Sequence, residues 1–475
     1  MQKSREICGC RLHFLTQHAI LNGINQEVPK MNIERFLILD LIRWKESPRR
    51  KPLILNGVRQ CGKTWLLKRF GQQHFEDCAY FNFEHDKEIS SFFEGSYDHE
   101  EIITRLSAFA NKQILPQKTL VIFDEIQVCP RALVSLKYFC EDAPEYAIAA
   151  ADSLLDISIA SKEGFPVGKV CILDMTPCSF KEYVHTAAPM LVDYIETVSL
   201  EPIPEAFCSK LGNYLREYLT FGGMPEVASV FLETRNIDDT EETLRNVLET
   251  YKKDFMKHIP ARDIPKLSMI WNSIPVQFAR ENRRFIFNEV RKGARAKDLE
   301  DALQWLIDAS LVVKVNQVEK PEIPLRAYED RKLFKLYPSD VGVLRKLAEV
   351  LPNVPLNSPD IFSEFNGRIA ENYVLEQLKA MHISPICYWT NPTGQAEVDF
   401  LIQSEQGVIP IEVKSGTNLN SKSLKTYRAK YSPKLAVRFS MQGLKFDDGL
   451  LNIPLYLIGE FPRLMKLAEE RIQTR

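Results

Sequence analysis

No stretch of eighteen consecutive apolar residues occurs in this chain, which excludes a membrane-spanning helix of ordinary length. No C-x-x-C pair occurs among the ten cysteines either. Cys8-Gly-Cys10 is the only close pair, and no histidine or cysteine follows it at zinc-finger spacing. Scattered, unpaired thiols fit a reduced cytoplasmic protein rather than a secreted disulfide scaffold. Net charge is nearly absent, at −2, so any contact with nucleic acid must come from a local patch. The first thirty residues lack both the apolar core of a secretory signal and any clear periodicity. Met31 to Lys45 then shows amphipathic spacing and predicts a helix, so we expect translation to start at Met31 and residues 1–30 to be an unstructured or over-extended reading frame.

What is present is ordinary in bulk and specific in detail. Apolar content of 45% and charged content of 26% are those of a globular chain, and 475 residues are too many for one core, so several domains are expected. Gly57-Val58-Arg59-Gln60-Cys61-Gly62-Lys63-Thr64 is a complete G-x-x-x-x-G-K-[ST] phosphate-binding loop. Its glycines let backbone N–H groups close around a β-phosphate, Lys63 brings a charge to the β/γ-phosphates, and the Thr64 hydroxyl is aimed at Mg²⁺. Pro52 to Leu55 reads as a buried strand before it, and Trp65 to Phe70 as a helix after it. ATP and Mg²⁺ are therefore the expected ligands, and all eight loop residues are assigned to nucleotide binding.

A βαβ rhythm follows. Ala79–Phe83, Thr119–Glu125, Tyr146–Ala151 and Lys169–Met175 read as strands of a parallel sheet covered on both faces. Four apolar residues, Leu120 to Phe123, precede Asp124-Glu125 and place both acids at the carboxyl edge of that sheet, beside the loop. Asp124 is assigned to Mg²⁺ and Glu125, with Lys63, to catalysis: the glutamate polarises the attacking water and the lysine stabilises γ-phosphoryl charge. Asp152-Ser153, past the fourth strand, reads either as a γ-phosphate sensor or as a helix cap. Arg59 has no assigned partner, and no arginine finger is identifiable, Arg216 and Arg280 included.

Arg50 to Thr64, Phe123-Asp-Glu-Ile-Gln127, Phe165-Pro-Val-Gly-Lys-Val170 and Tyr218 to Val227 together resemble a prokaryotic AAA+-like ATPase family. Its members join an ATPase domain to a C-terminal domain of formally unknown function, and the similarity covers about residues 31–450. Two positions depart from the family pattern: Cys61, where a small or apolar residue is usual, and Ala149 to Ser153, where a Gly-Ser pair is usual. The second departure bears on the γ-phosphate sensor. AAA+-like sites often complete themselves with a neighbour's arginine, so the resemblance is compatible with a homo-oligomer.

The remaining expectations concern the organisation after the loop domain. We expect an α/β chain with a P-loop ATPase core at 31–190, a helical lid at 191–261, a winged-helix-like module at 262–350 and an α/β nuclease-like domain at 360–475. Phe221-Gly222-Gly223-Met224-Pro225 reads as an architectural helix stop. Arg280 to Lys297 holds seven Lys/Arg against two Glu, with Phe285 and Phe287 interleaved, which reads as a DNA footprint or as a solvated charged face. Further on, Glu371 opens a helix, and Glu397/Asp399 and Glu412/Lys414 alternate on two strands. This order resembles the PD-(D/E)XK nuclease-like fold. The resemblance implies Mg²⁺ on Asp399 and Glu412, a second ion or its water at Glu371, and Lys414 beside the attacking hydroxide. The competing reading is a structural ion-pair cluster on an inherited scaffold. DNA or another protein is the expected partner, and no membrane is.

Overall fold

The computed structural model describes residues 32–152, 165–280, 284–354, 364–414 and 422–474. Residues 1–30 and Ser153, on which expectations were placed, lie outside them. Residues Ile33 to Arg475 form one compact unit.

The first helix among the described residues, α1 (Ile38–Glu46), starts later than its periodicity predicts, because residues 32–35 take no regular secondary structure and bury Ile33 there. The parallel sheet then forms from β1 (Leu53–Gly57), β2 (Asp77–Asn82), β3 (Thr119–Asp124), β4 (Ala147–Asp152) and β5 (Cys171–Met175), in the order β2-β3-β4-β1-β5. Helices α2 (Lys63–His74), α3 (His99–Ala110) and α4 (Pro130–Asp142) alternate with these strands. Every residue of β3 and β4 is buried, as continuous apolar strands covered on both faces must be. Because β4 stands between β1 and β3, the carboxyl ends of these three strands share one edge with the phosphate loop.

The helical region divides between two neighbours. Its first helices, α5 (Phe180–Ala187), α6 (Pro189–Glu196) and α7 (Glu205–Phe221), join a core with the C-terminal sheet, where Tyr218 meets Tyr373 at 5.7 Å between ring centres. After α8 (Pro225–Thr234), the long α9 (Ile237–His258) returns to the ATPase sheet and packs Tyr251 and Phe255 into the core that holds Val58 and Leu67. The helices expected as a lid over 191–261 thus divide their buried side chains between two cores.

Next come α10 (Ile264–Ala279), α11 (Phe287–Val290), α12 (Ala296–Asp308) and the hairpin β6 (Val312–Val318) with β7 (Glu329–Pro338), the helix-then-hairpin order of a winged helix. The hairpin is no free wing. After α13 (Val341–Leu347) and α14 (Glu364–Ala380), strand β8 (Cys387–Thr390) pairs in parallel with β6 through Asn316/Cys387 and Val318/Trp389. The sheet continues through β9 (Glu397–Ser404), β10 (Gly407–Val413), β11 (Ala436–Ser440), β13 (Leu450–Pro454) and β12 (Lys445–Asp447), with α15 (Lys422–Tyr431) and α16 (Phe461–Gln473) completing the chain. The boundary expected between 350 and 360 therefore crosses one eight-stranded mixed sheet. Among the described residues no helix is long and apolar enough to cross a membrane.

Candidate functional site

The phosphate loop leaves β1 at Gly57, where a Cβ would overlap the Met175 carbonyl oxygen on the neighbouring strand. Only glycine permits that approach. Gly62, at φ 93°, precedes α2, whose N-terminus carries Lys63 and Thr64 and faces any anion in the loop. Lys63 is buried and its ammonium donates to the carbonyls of Gly57 at 2.7 Å and Val58 at 3.0 Å. Its charge is thus already held inside the loop.

Thr64 Oγ1 donates to Asp124 Oδ1 at 2.9 Å, bringing the hydroxyl and the strand-end carboxylate together across the sheet edge. The other carboxylate oxygen accepts from Tyr80 Oη at 2.6 Å and Asn82 Nδ2 at 3.3 Å. Burial, and then the hydrogen bond to Asp124, push the Tyr80 phenol up to about 12, so it stays protonated and remains a donor. Sequence reading missed Tyr80 and Asn82. The available signal was positional, since Asn82 ends β2 directly opposite Asp124. A hydroxyl and a carboxylate meeting beside a phosphate loop are hard oxygen donors, and they fit Mg²⁺.

Glu125 follows with φ 52°, a left-handed conformation uncommon for a residue with a side chain, which turns it out of the strand direction. Gln127 Nε2 donates to its carboxylate at 2.5 Å. Arg59 finds its partner far along the chain, in Asp254 on α9, at 2.7 Å, and the Tyr251 hydroxyl lies 3.4 Å from the Arg59 carbonyl oxygen. Asp152 sits opposite Asn56 of β1, buried on the wall of a cavity of about 630 Å³. That cavity runs from Gln127 and Asp152 on the ATPase side to Val312 and Glu376 on the C-terminal side.

The Gly222-Gly223 turn joins the two halves. Asp340, fully buried, accepts from Gly223 N at 2.6 Å and caps α13 through Val343 N at 2.9 Å. Glu376 of α14 accepts from Val341 N at 3.0 Å and bonds the Tyr218 hydroxyl. On the other side of the turn, Pro225 approaches Gly62.

Glu397, Asp399 and Glu412 lie on β9 and β10, as strand periodicity predicts, and Lys414 directly follows β10. Glu371 is buried and bonded to Tyr337 and to the ammonium of Lys335 at 3.2 Å, and the same ammonium reaches Glu397 at 2.8 Å. Asp399 accepts the Val413 N–H at 2.8 Å, and Lys414 pairs with Glu412 at 2.6 Å. Among the described residues no three acidic, histidine or cysteine side chains gather as a metal site. Lys335 stands on β7 and Glu397 on β9 of one sheet, with Glu371 on α14 against them, a grouping invisible in the sequence. Glu371 is thereby bonded to a resident cation.

In the basic stretch the aromatics turn inward. Phe285 stacks on Phe334 at 5.4 Å in the core, and Phe287 packs edge-on against both, so these aromatics are structural and are not stacked toward solvent. Arg280 pairs with Glu289 at 2.7 Å. Arg291, Lys292, Arg295 and Lys297 are exposed.

Residues 49–184 match an AAA domain family, residues 212–353 a domain of unknown function (DUF8612), and residues 366–458 another (DUF4143). The chain is 23% identical over 414 residues to the uncharacterized protein MJ1544 of Methanocaldococcus jannaschii, covering 85% of this chain and 81% of that protein. Among solved structures it is similar to Aeropyrum pernix ORC1 in complex with DNA, at 14% identity over 69% of this chain and 95% of that one, with a TM-score of 0.27. Thermotoga maritima RuvB overlaps at 14% identity over 58% and 88% of the respective chains, also with a TM-score of 0.27. AMPPCP-bound DnaA of Aquifex aeolicus does so at 13% over 59% and 92%, with a TM-score of 0.23. With the loop and its parallel sheet, the match to an AAA domain over residues 49–184 supports a P-loop, nucleotide-binding fold in that region.

Proposed function

We propose that this chain is an Mg²⁺-dependent ATPase whose nucleotide state is transmitted to its C-terminal sheet domain. The observation that carries the reading is the 2.9 Å bond between Thr64 and Asp124 at the mouth of a complete phosphate loop. Mg²⁺ on these two residues would neutralise charge on the β- and γ-phosphate oxygens. Lys63, now bonded to the Gly57 and Val58 carbonyls, exchanges those acceptors for phosphate oxygens when ATP enters. Glu125 orients the attacking water and takes its proton on a carboxylate oxygen. The water oxygen bonds to the γ-phosphorus as the bond to the β–γ bridging oxygen breaks, leaving ADP and phosphate.

Phosphate release by the wild type, Lys63→Ala and Glu125→Gln tests this. Both variants should fall to background, Glu125→Gln while still binding ATP. Equal rates in all three proteins reject hydrolysis and leave a nucleotide-switched binding protein. One observation favours that second reading, namely the Gln127 Nε2 bond to the Glu125 carboxylate, the group that would take the water's proton.

For the C-terminal domain, the ion pairs of Lys335 favour a partner-binding role, with DNA or protein as partner, over cleavage through a Glu371-bound ion. Nuclease activity at Asp399, Glu412 and Lys414 predicts plasmid cleavage with Mg²⁺ or Mn²⁺ that is lost in Asp399→Ala and Lys414→Ala. The absence of any cleavage by the wild type rejects it. Sizing with and without ATP tests assembly into a homo-oligomer.

A further inference from the structure

We infer that Arg35 is a positioning residue for the phosphate loop, acting through the peptide between Cys61 and Gly62. This rests on the nucleotide-binding reading above and names a part of that site which lies outside the segment matching the AAA domain, since that segment begins at residue 49.

Arg35 stands in the irregular stretch before α1 and is only 5% exposed. Its guanidinium donates to the Cys61 carbonyl at 2.8 Å and to the Thr176 carbonyl at 2.6 Å, and its Nε donates to Glu182 at 3.3 Å. Glu182 is itself fixed. One of its oxygens accepts from Phe36 N at 2.6 Å, and the other accepts from Ser179 N at 2.7 Å in a capping box at the start of α5. The planar fork of an arginine suits this task, because it binds several acceptors in one fixed geometry. Arg35 thereby ties the last turn of the loop to the end of β5 and to α5.

The consequence for nucleotide follows from the planarity of the peptide. In a trans peptide the C=O and the N–H point in opposite directions. Holding the Cys61 oxygen toward Arg35 turns the Gly62 N–H away from it, toward the inside of the loop, where the phosphates are cradled. A cation on the carbonyl also polarises the peptide and strengthens its N–H as a donor. Gly62 has no side chain to resist rotation of that plane, so the orientation must be imposed from outside.

The test is binding of MgATP and MgADP by isothermal titration to the full chain, comparing wild type, Lys63→Ala, Arg35→Ala and Arg35→Lys. Arg35→Ala should bind both nucleotides about tenfold more weakly, and equally so, because the affected N–H serves the β-phosphate they share. Arg35→Lys keeps the charge but cannot span both carbonyls, so it should fall between. Arg35 lies on the wall of a cavity of about 280 Å³, so millimolar guanidinium should restore affinity to Arg35→Ala and leave Lys63→Ala unchanged. A merely structural arginine would lower the melting temperature without this rescue. Wild-type affinity in folded Arg35→Ala overturns the inference, and wild-type affinity in Arg35→Lys does so where the alanine variant fails to fold. A wild type that binds no nucleotide rejects the nucleotide reading itself.

Discussion

Replacing Lys335 by methionine should destabilise the C-terminal sheet by about 3–5 kcal/mol, the cost of breaking a buried ion pair from one side. Lys335 and Glu371 expose only 1% and 3% of their side chains, and their charged atoms lie 3.2 Å apart. At an effective dielectric constant of about 20, that separation corresponds to an attraction of roughly 5 kcal/mol, which offsets the desolvation of the two groups. Methionine fills the same volume but removes the Lys335 ammonium from buried Glu371, which keeps its bond to the Tyr337 hydroxyl, and from Glu397, which is 27% exposed. Hydrogen exchange of the β7–β9 amides reads the loss locally, and urea unfolding reads it globally. Adding Glu371→Gln to the methionine variant should recover most of the loss, because Tyr337 can still donate to the amide oxygen. A single-variant loss below about 1 kcal/mol would refute the argument that Lys335 neutralises the cluster.

Three further outcomes are expected. Gly222→Ala meets both a φ of 79° and the Asp340 carboxylate where its Cβ would stand, so it should cost more than about 2 kcal/mol in thermal or urea unfolding, whereas Gly212→Ala, with open space around it in α7, should be neutral or stabilising by about 0.5–1 kcal/mol. Burial raises Asp340 to about 6, against backbone N–H bonds that pull it down. Its folded-state value therefore exceeds the unfolded one, and its contribution is full below about pH 4 and lost as the pH rises through about 6, so melting curves of Asp340→Asn should show a smaller decline over that window. Glu376, raised by burial and then by Asp340, acts in the same direction. The Arg59–Asp254 pair is partly exposed, at 26% and 13%, so a double-mutant cycle with alanine should give a coupling of only about 0.5–1 kcal/mol.

The Gly222-Gly223 turn shows how a correct local reading can understate a residue. As a helix stop it is legible, because glycine and proline end helices wherever they occur. Its second role depends on Asp340, more than a hundred residues later, whose carboxylate occupies the space beside both glycines. The basic stretch shows the converse. Charge and aromatic residues alternate there, but Phe285 and Phe287 turn inward because Phe334 of β7 stacks on the first and takes the second edge-on. A one-dimensional pattern records which residues are apolar without recording what covers them.

The sequence by itself determined the phosphate loop, the parallel strands and the Asp124-Glu125 edge, together with the faces carrying Glu397, Asp399, Glu412 and Lys414. Each depends on interactions a few residues long: backbone periodicity, a tight turn, a helix N-terminus. The tertiary structure alone decided which groups face these residues. It set Arg35 behind the loop and Asp254 on Arg59, placed Tyr80 beside Asp124, and brought Lys335 between Glu371 and Glu397. Those partners come from elements far apart in the chain, and burial makes them necessary. A charge removed from water needs an opposite charge or a hydrogen-bond partner, and only the packing of strands and helices determines which residue supplies it.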